Sequence, residues 1–307
     1  MFDKLLNTIC DIKLMHNFKF ESNIAEGRKF IIECITNNIF NVDATLLHIA
    51  ASSGDAELLK ELNFANGANV RDAKGNIPIH YAVLHGNIDT VKVLLEKGAS
   101  PTLNNKDGYC ALFIAIALNN LGALHAMSKY IEDDDNKPCV YRLRFQMSYT
   151  DIKDANGFSA FHYAAACNDL AILDALHYFK FNPMLTDKFG NTPLHLAASL
   201  DNNTAVSMLS KISTSVNPVN DNGDTPLHLA KSSECAKILI EHGACVDEPN
   251  KQNGNTPLHN ALIAGYSDVI KTLVDNHAAS DVPNKNGLTV NAMSTIIHGG
   301  KFAELFK

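Results

Sequence analysis

Short apolar clusters at helical spacing run along most of the chain, separated by polar stretches rich in Gly, Asn and Asp. Val91, Leu94 and Leu95 form one such cluster, and Ile238, Leu239 and Ile240 another. Each predicts a short amphipathic helix, ended by Gly98 or Gly243 just past its last turn. Near the N-terminus, Phe2, Leu5, Leu6, Ile9 and Ile12 make one apolar face. Ile24, Phe30, Ile31, Cys34 and Ile35 make a second, entered by Asn23 with Glu26 three residues later. One stretch departs from the helical period. Tyr141, Leu143, Phe145, Met147 and Tyr149 alternate with Arg142, Arg144, Gln146 and Ser148, a period of two. That alternation predicts a strand, with a helix of mixed surface as the other solution at this length.

The clusters recur in register. Asn191-Thr192-Pro193-Leu194-His195, Asp224-Thr225-Pro226-Leu227-His228 and Asn255-Thr256-Pro257-Leu258-His259 are three copies of one phrase. Ile77-Pro78-Ile79-His80, Thr45-Leu46-Leu47-His48 and Ser159-Ala160-Phe161-His162 are weaker copies. The histidine position falls at 48, 80, 113 (a Phe), 162, 195, 228, 259 and 291 (an Asn), in steps of 32, 33, 49, 33, 33, 31 and 32 residues. The step of 49 is one period with sixteen extra residues, which make an insertion at about 132–150. Each phrase carries its own local logic. A Gly (75, 108, 157, 190, 223, 254 or 287) supplies a turn with positive φ. Thr then caps a helix, and Pro occupies its first position, where a missing N–H costs nothing.

A period of 33 residues carrying Thr-Pro-Leu-His resembles the ankyrin repeat, over about residues 43–298. The resemblance implies an all-α solenoid of paired antiparallel helices with β-hairpin loops, its tips and inner helices forming a concave face. It also implies that His48, His80, His162, His195, His228 and His259 bridge backbone groups of neighbouring turns. Residues 1–42 are then expected as an N-terminal helical cap, and 299–307 as a polar tail beyond a final, modified unit. The sixth unit is short between its helices, at Lys231-Ser232-Ser233-Glu234, so a trimmed inter-helix turn is expected there.

Composition narrows the chemistry. The net charge of −7 argues against a nucleic-acid surface, and Arg142 and Arg144 are too few to make one. No apolar run approaches a membrane span. Seven cysteines without close pairs suit a reducing compartment. The six repeat histidines are spread one per unit and cannot converge on one ion. No nucleophile elbow, phosphate loop or dinucleotide turn is present. Neither cofactor nor metal is therefore expected, and an enzyme with a site in residues 1–42 or in the insertion is the minor alternative.

The expected function is non-enzymatic recognition of another protein by a monomeric, cytoplasmic chain. The sites follow from repeat geometry: motif residues hold the fold, so the remaining tip positions are free to bind. Those positions are Asn76, Tyr109, Phe158, Asn191, Asp224, Asn255 and Leu288. Tyr109 and Phe158 flank the insertion, which adds Arg142, Arg144 and Phe145, and aromatics with Arg dominate interface energetics. The thirty-three asparagines, with ample Lys, suggest an AT-rich genome; together with the repeat type they fit an effector of an intracellular bacterium delivered into a host cytosol, with a protist scaffold protein as the other source of such statistics. The family resemblance also offers Asn217, eleven residues before His228, as a substrate for asparagine hydroxylation, although Pro218 follows it.

Overall fold

The structure is a computed structural model that describes residues 43–62, 67–132 and 151–297, together with Phe302 and Phe306. The proposed N-terminal cap over 1–42 and insertion residues 133–150 lie outside the described residues. Fourteen α-helices and one 3-10 turn follow in order among the described residues. They are α1 Asp43–Ser53, α2 Ala56–Glu61, α3 Pro78–Leu84, α4 Ile88–Glu96, α5 Ala111–Ala117, α6 Leu121–Glu132, α7 Ala160–Cys167 and α8 Leu170–Tyr178. After these come α9 Pro193–Leu200, α10 Asn203–Ile212, the 3-10 turn Pro226–Leu229, α11 Ser233–Glu241, α12 Pro257–Ala264, α13 Ser267–Asp275 and α14 Val290–Ile296. The fold is all-α, with no strand among the described residues.

The chain divides into two compact units, residues 1–156 with 174–181, and residues 157–173 with 182–307. In the first, α1, α3 and α5 pack in one row and α2, α4 and α6 in a second. Ile77, Ile79, Val83, Val91, Leu94 and Leu112 are wholly buried between the rows. In the second unit, α7, α9, the 3-10 turn, α12 and α14 form the inner row, and α10, α11 and α13 the outer one.

An Asx residue opens each connecting turn and explains why these polar segments are ordered. Asp187 Oδ1 accepts from the N–H groups of Phe189 (2.8 Å) and Asn191 (2.9 Å), and Asp187 N–H donates to Asn191 O at 2.8 Å. Asp72, Asn105, Asn220 and Asn284 do the same in their own turns. The residue before the next helix needs the chain to reverse, and Gly190 at φ +75° provides this.

Three departures have physical causes. The sixth unit loses residues within its inner helix, not in the loop alone. Pro226–Leu229 completes one 3-10 turn, Ala230 is already extended (ψ 131°), and Ser232 caps α11 by accepting from Cys235 N–H at 3.1 Å. In the last unit, counting from Gly287 puts the histidine position at Ala292, not Asn291. Without an imidazole, the Thr289 hydroxyl accepts from Ala292 N–H at 3.2 Å as an ordinary helix cap. In the third unit Phe113 fills the histidine position by burial, being 0% exposed; a buried Phe contributes about 1.5–3 kcal/mol.

Candidate recognition surface

The repeat histidines are committed to the backbone. His195 Nε2 meets the carbonyl of Asp224 at 2.9 Å, so that nitrogen carries the proton. Nδ1 then accepts from Thr192 N–H at 3.1 Å and from the Thr192 hydroxyl at 2.9 Å. His162 reaches Asn191 O, His228 reaches Asn255 O and His259 reaches Leu288 O, each from the same capping arrangement. In the first unit His48 reaches Asn76 O and His80 reaches Tyr109 O. A second proton on Nδ1 would face an N–H donor in a dry site. Burial accordingly pushes His195 down to about 4, and it lowers His48, His80, His228 and His259 as well.

The tip positions are less free than the sequence suggests. Asn76, Asn191 and Asn255 are buried, as is Phe158 at 2% exposure. That leaves them little surface to offer a partner, and the amides join a ladder between consecutive turns. Asn105 Nδ2 donates to Asn76 Oδ1 (2.9 Å), Asn220 to Asn191 (2.8 Å) and Asn284 to Asn255 (2.9 Å), while Asn250 donates to the half-buried Asp224. Phe158 instead stacks at a tilt on His162, ring centres 5.6 Å apart. Among the tips, Tyr109 remains half-buried and Leu288 exposed. Arg142, Arg144 and Phe145 lie outside the described residues.

In the first unit the turns and inner helices enclose a groove of about 330 Å³. Tyr81, Leu84, Tyr109 and Ile114 line it together with Lys74 and Lys106, whose exposure puts them at its mouth. The Tyr81 hydroxyl donates to Asp72 Oδ2 at 2.7 Å, which fixes the ring as one wall. Burial and that carboxylate push the phenol up to about 12. Burial alone would raise the Asp72 carboxyl, but the bonds from Tyr81, Asn76 and Lys74 together hold it below its usual value. Lys106 Nζ donates to Ala73 O at 2.8 Å, tying the mouth to the preceding turn. Tyr81 and Lys74 are not singled out by the motif; both occupy non-motif positions of the second repeat, one just after His80 and one just before the turn glycine Gly75.

In the second unit, the exposed aromatic of the turns is Phe189, 44% exposed, with Lys188 Nζ 5.6 Å from its ring centre. It precedes the turn glycine and lies two places before the tip position considered from the sequence. Burial pushes the Cys110 and Cys235 thiols up to about 12. Among the described residues no group of three or more His, Cys, Asp or Glu could hold a metal ion, and no helix is long and apolar enough to cross a membrane. Asn217 uses both ends of its amide: Nδ2 donates to Gly243 O (3.0 Å) and Oδ1 accepts from Cys245 N–H (2.9 Å). Asn69 bridges Gly98 and Ser100 in the same way.

Comparison with known proteins matches a family model described as ankyrin repeats, in three copies, to residues 47–135, 124–218 and 212–286. Human transient receptor potential cation channel subfamily A member 1 is 27% identical over 80% of the chain, which spans 19% of that protein. The putative palmitoyltransferase ZDHHC13 of Danio rerio is 26% identical over 83% of the chain and 28% of its own length. The nuclear factor NF-kappa-B p105 subunit of Gallus gallus is 26% identical over 81% of the chain and 21% of its length. The chain thus spans well under a third of these relatives. The crystal structure of the human ASB11 ankyrin repeat domain aligns with a TM-score of 0.56 at 21% identity, covering 76% of this chain and 98% of that one.

Proposed function

The chain belongs to the ankyrin-repeat family, and on that premise we propose that it is a protein-recognition module whose first-unit groove is a principal contact. Ankyrin repeats serve protein–protein interaction, and their fold is typically non-enzymatic. The observation that carries the finer reading is the groove between Tyr81, Leu84, Ile114 and Tyr109 with Lys74 and Lys106 at its mouth. It combines apolar depth with a few polar groups at the rim, the usual composition of a site that anchors one side chain of a partner. On sequence grounds the insertion with Arg142, Arg144 and Phe145 extends the same surface, and Phe189 and Leu288 supply exposed apolar contacts in the second unit. A cytoplasmic setting, a monomeric state and delivery as an effector into a host cell are the narrower form of this proposal, supported by cysteine usage and Asn-rich composition.

The test pairs binding with melting. A partner captured by the wild-type chain should be lost by Tyr109→Ala combined with Lys106→Glu, while the melting temperature stays within a few degrees. Full retention of that partner by the double variant would remove the groove from the interface. Binding that survives there and fails in Arg142→Ala with Phe145→Ala would move the interface to the insertion.

A further inference from the structure

The dipeptide Asn-Gly occurs five times in the chain. Four copies, beginning at Asn156, Asn222, Asn253 and Asn286, contribute the turn glycine of a repeat; the fifth begins at Asn66, outside the described residues. This dipeptide carries a reaction of its own. The amide nitrogen that follows Asn can attack the side-chain carbonyl, and glycine brings no Cβ to obstruct the approach.

The four turns differ in what covers them. A Cβ built on Gly157 would stand 2.8 Å from Lys188 N, one on Gly254 2.8 Å from Lys285 N, and one on Gly223 would run into Lys251 N. The following turn therefore lies directly against each of these glycines. Among the described residues, the same atom on Gly287 would meet nothing within 4 Å. Gly223 and Gly254 are buried, whereas Gly287 is exposed. The side chains differ as well. Asn253 Oδ1 accepts from Asn255 N–H at 2.9 Å, and Asn222 Oδ1 from Gln252 Nε2 at 3.5 Å. Asn286 is exposed, and among the described residues its carboxamide makes no hydrogen bond; its backbone N–H alone is held, by Asn284 Oδ1 at 3.0 Å.

From this difference we infer that Asn286-Gly287 is a site of spontaneous deamidation, converted ahead of the other described Asn-Gly turns. Gly287 N–H leaves its bond to Asn284 O, now 2.9 Å, and gives its proton to water or hydroxide. The nitrogen then bonds to Asn286 Cγ, the Cγ–Nδ2 bond breaks, and Nδ2 departs as ammonia. Water opens the resulting succinimide at either carbonyl. Cleavage of the new bond gives Asp, and cleavage of the original peptide bond gives isoaspartate; in both, NH2 has been exchanged for OH. The isoaspartyl form adds a methylene to the backbone two residues before Leu288. Leu288 closes the turn by accepting from Asn284 N–H (2.9 Å), donates to Asn284 Oδ1 (3.1 Å) and receives His259 Nε2 (3.1 Å). Lengthening the chain there pulls apart the hydrogen bonds that fasten the last repeat.

The test is peptide mapping of the full chain after incubation at neutral and mildly alkaline pH, well below its melting temperature, beside a sample held in guanidinium. In the folded chain, Asn286 should convert several-fold faster than Asn156, Asn222 and Asn253, and faster still as pH rises. In denaturant the four rates should converge. Conversion of Asn222 or Asn253 at a rate matching Asn286 in the folded chain would overturn the inference. So would an unmodified Asn286 in folded protein, or a ranking that unfolding leaves unchanged.

Discussion

The seventh and eighth repeats stand in the same unit and both begin an inner helix with Thr, yet the two threonines do different work. Thr256 turns its hydroxyl to His259 Nδ1 at 2.9 Å, and the other ring nitrogen carries the link onward to Leu288 O. Thr289 has Ala292 in place of the imidazole and caps its own helix instead. One side chain therefore decides whether a repeat is joined to its successor or merely closes itself. The motif is an inter-repeat fastening, and its loss in the last repeat ends the run of fastenings there. A hydroxyl left without its imidazole still finds a donor, the N–H of Ala292, because an unpaired helix N-terminus is costly.

The largest effect that follows from this difference is collective and comes from acid. The folded-state pKa of His195 is about 4 against an ordinary 6.5, and four further histidines are shifted down by burial. The unfolded chain thus binds these protons first. Stability is complete above about pH 6.5 and falls as pH drops from there toward 4, with His195 alone contributing on the order of 3 kcal/mol. Chemical denaturation followed from pH 7.5 to 4.5 should show a steep loss. A flat profile would mean that the rings are protonated at little cost and that the fastening is weaker than its geometry.

A single fastening can be cut more gently. His228→Ala removes the link from the sixth repeat to Asn255 O and leaves Thr225 N–H without its acceptor. The expected loss is about 1–3 kcal/mol by urea melting at neutral pH. The sixth repeat is the informative place, since its inner helix is already reduced to one 3-10 turn. A change below about 0.5 kcal/mol there would show that packing of Leu227 and Leu239 holds the junction without the ring.

What was legible in the sequence follows the same division. Thr-Pro-Leu-His and the turn glycines are local signals, and they located every inner helix of the described repeats that bears them. The amide ladder was hidden because its partners, such as Asn220 and Asn191, are 29 residues apart. An Asn beside a turn glycine reads as a free tip until the Asx residue of the next turn is placed over it. The step of 31 residues after His228 revealed a shortage but not its place, since loss from loop or helix gives the same count. A step of 32 residues points to Asn291 as the histidine position; the turn glycine is the safer ruler, and it points to Ala292.

Restoring the missing ring gives the smallest effect and the sharpest comparison. Ala292→His would set an imidazole three residues after Thr289, as His259 stands after Thr256. Nδ1 could then accept from Thr289 N–H and draw the hydroxyl away from Ala292 N–H, so one capping bond is exchanged for another. Among the described residues no turn follows to offer Nε2 a carbonyl, so the onward half of the fastening has nothing to hold. The net change should lie within about 0.5 kcal/mol, the range of a surface substitution. The new ring should titrate near its ordinary value, in contrast to His195, because it is neither buried nor faced by a second backbone partner. An NMR titration that separates the two rings reads this directly. A stabilisation approaching that lost in His228→Ala would show that the ring acts within its own repeat, and would reverse the reading of the motif as a link between repeats.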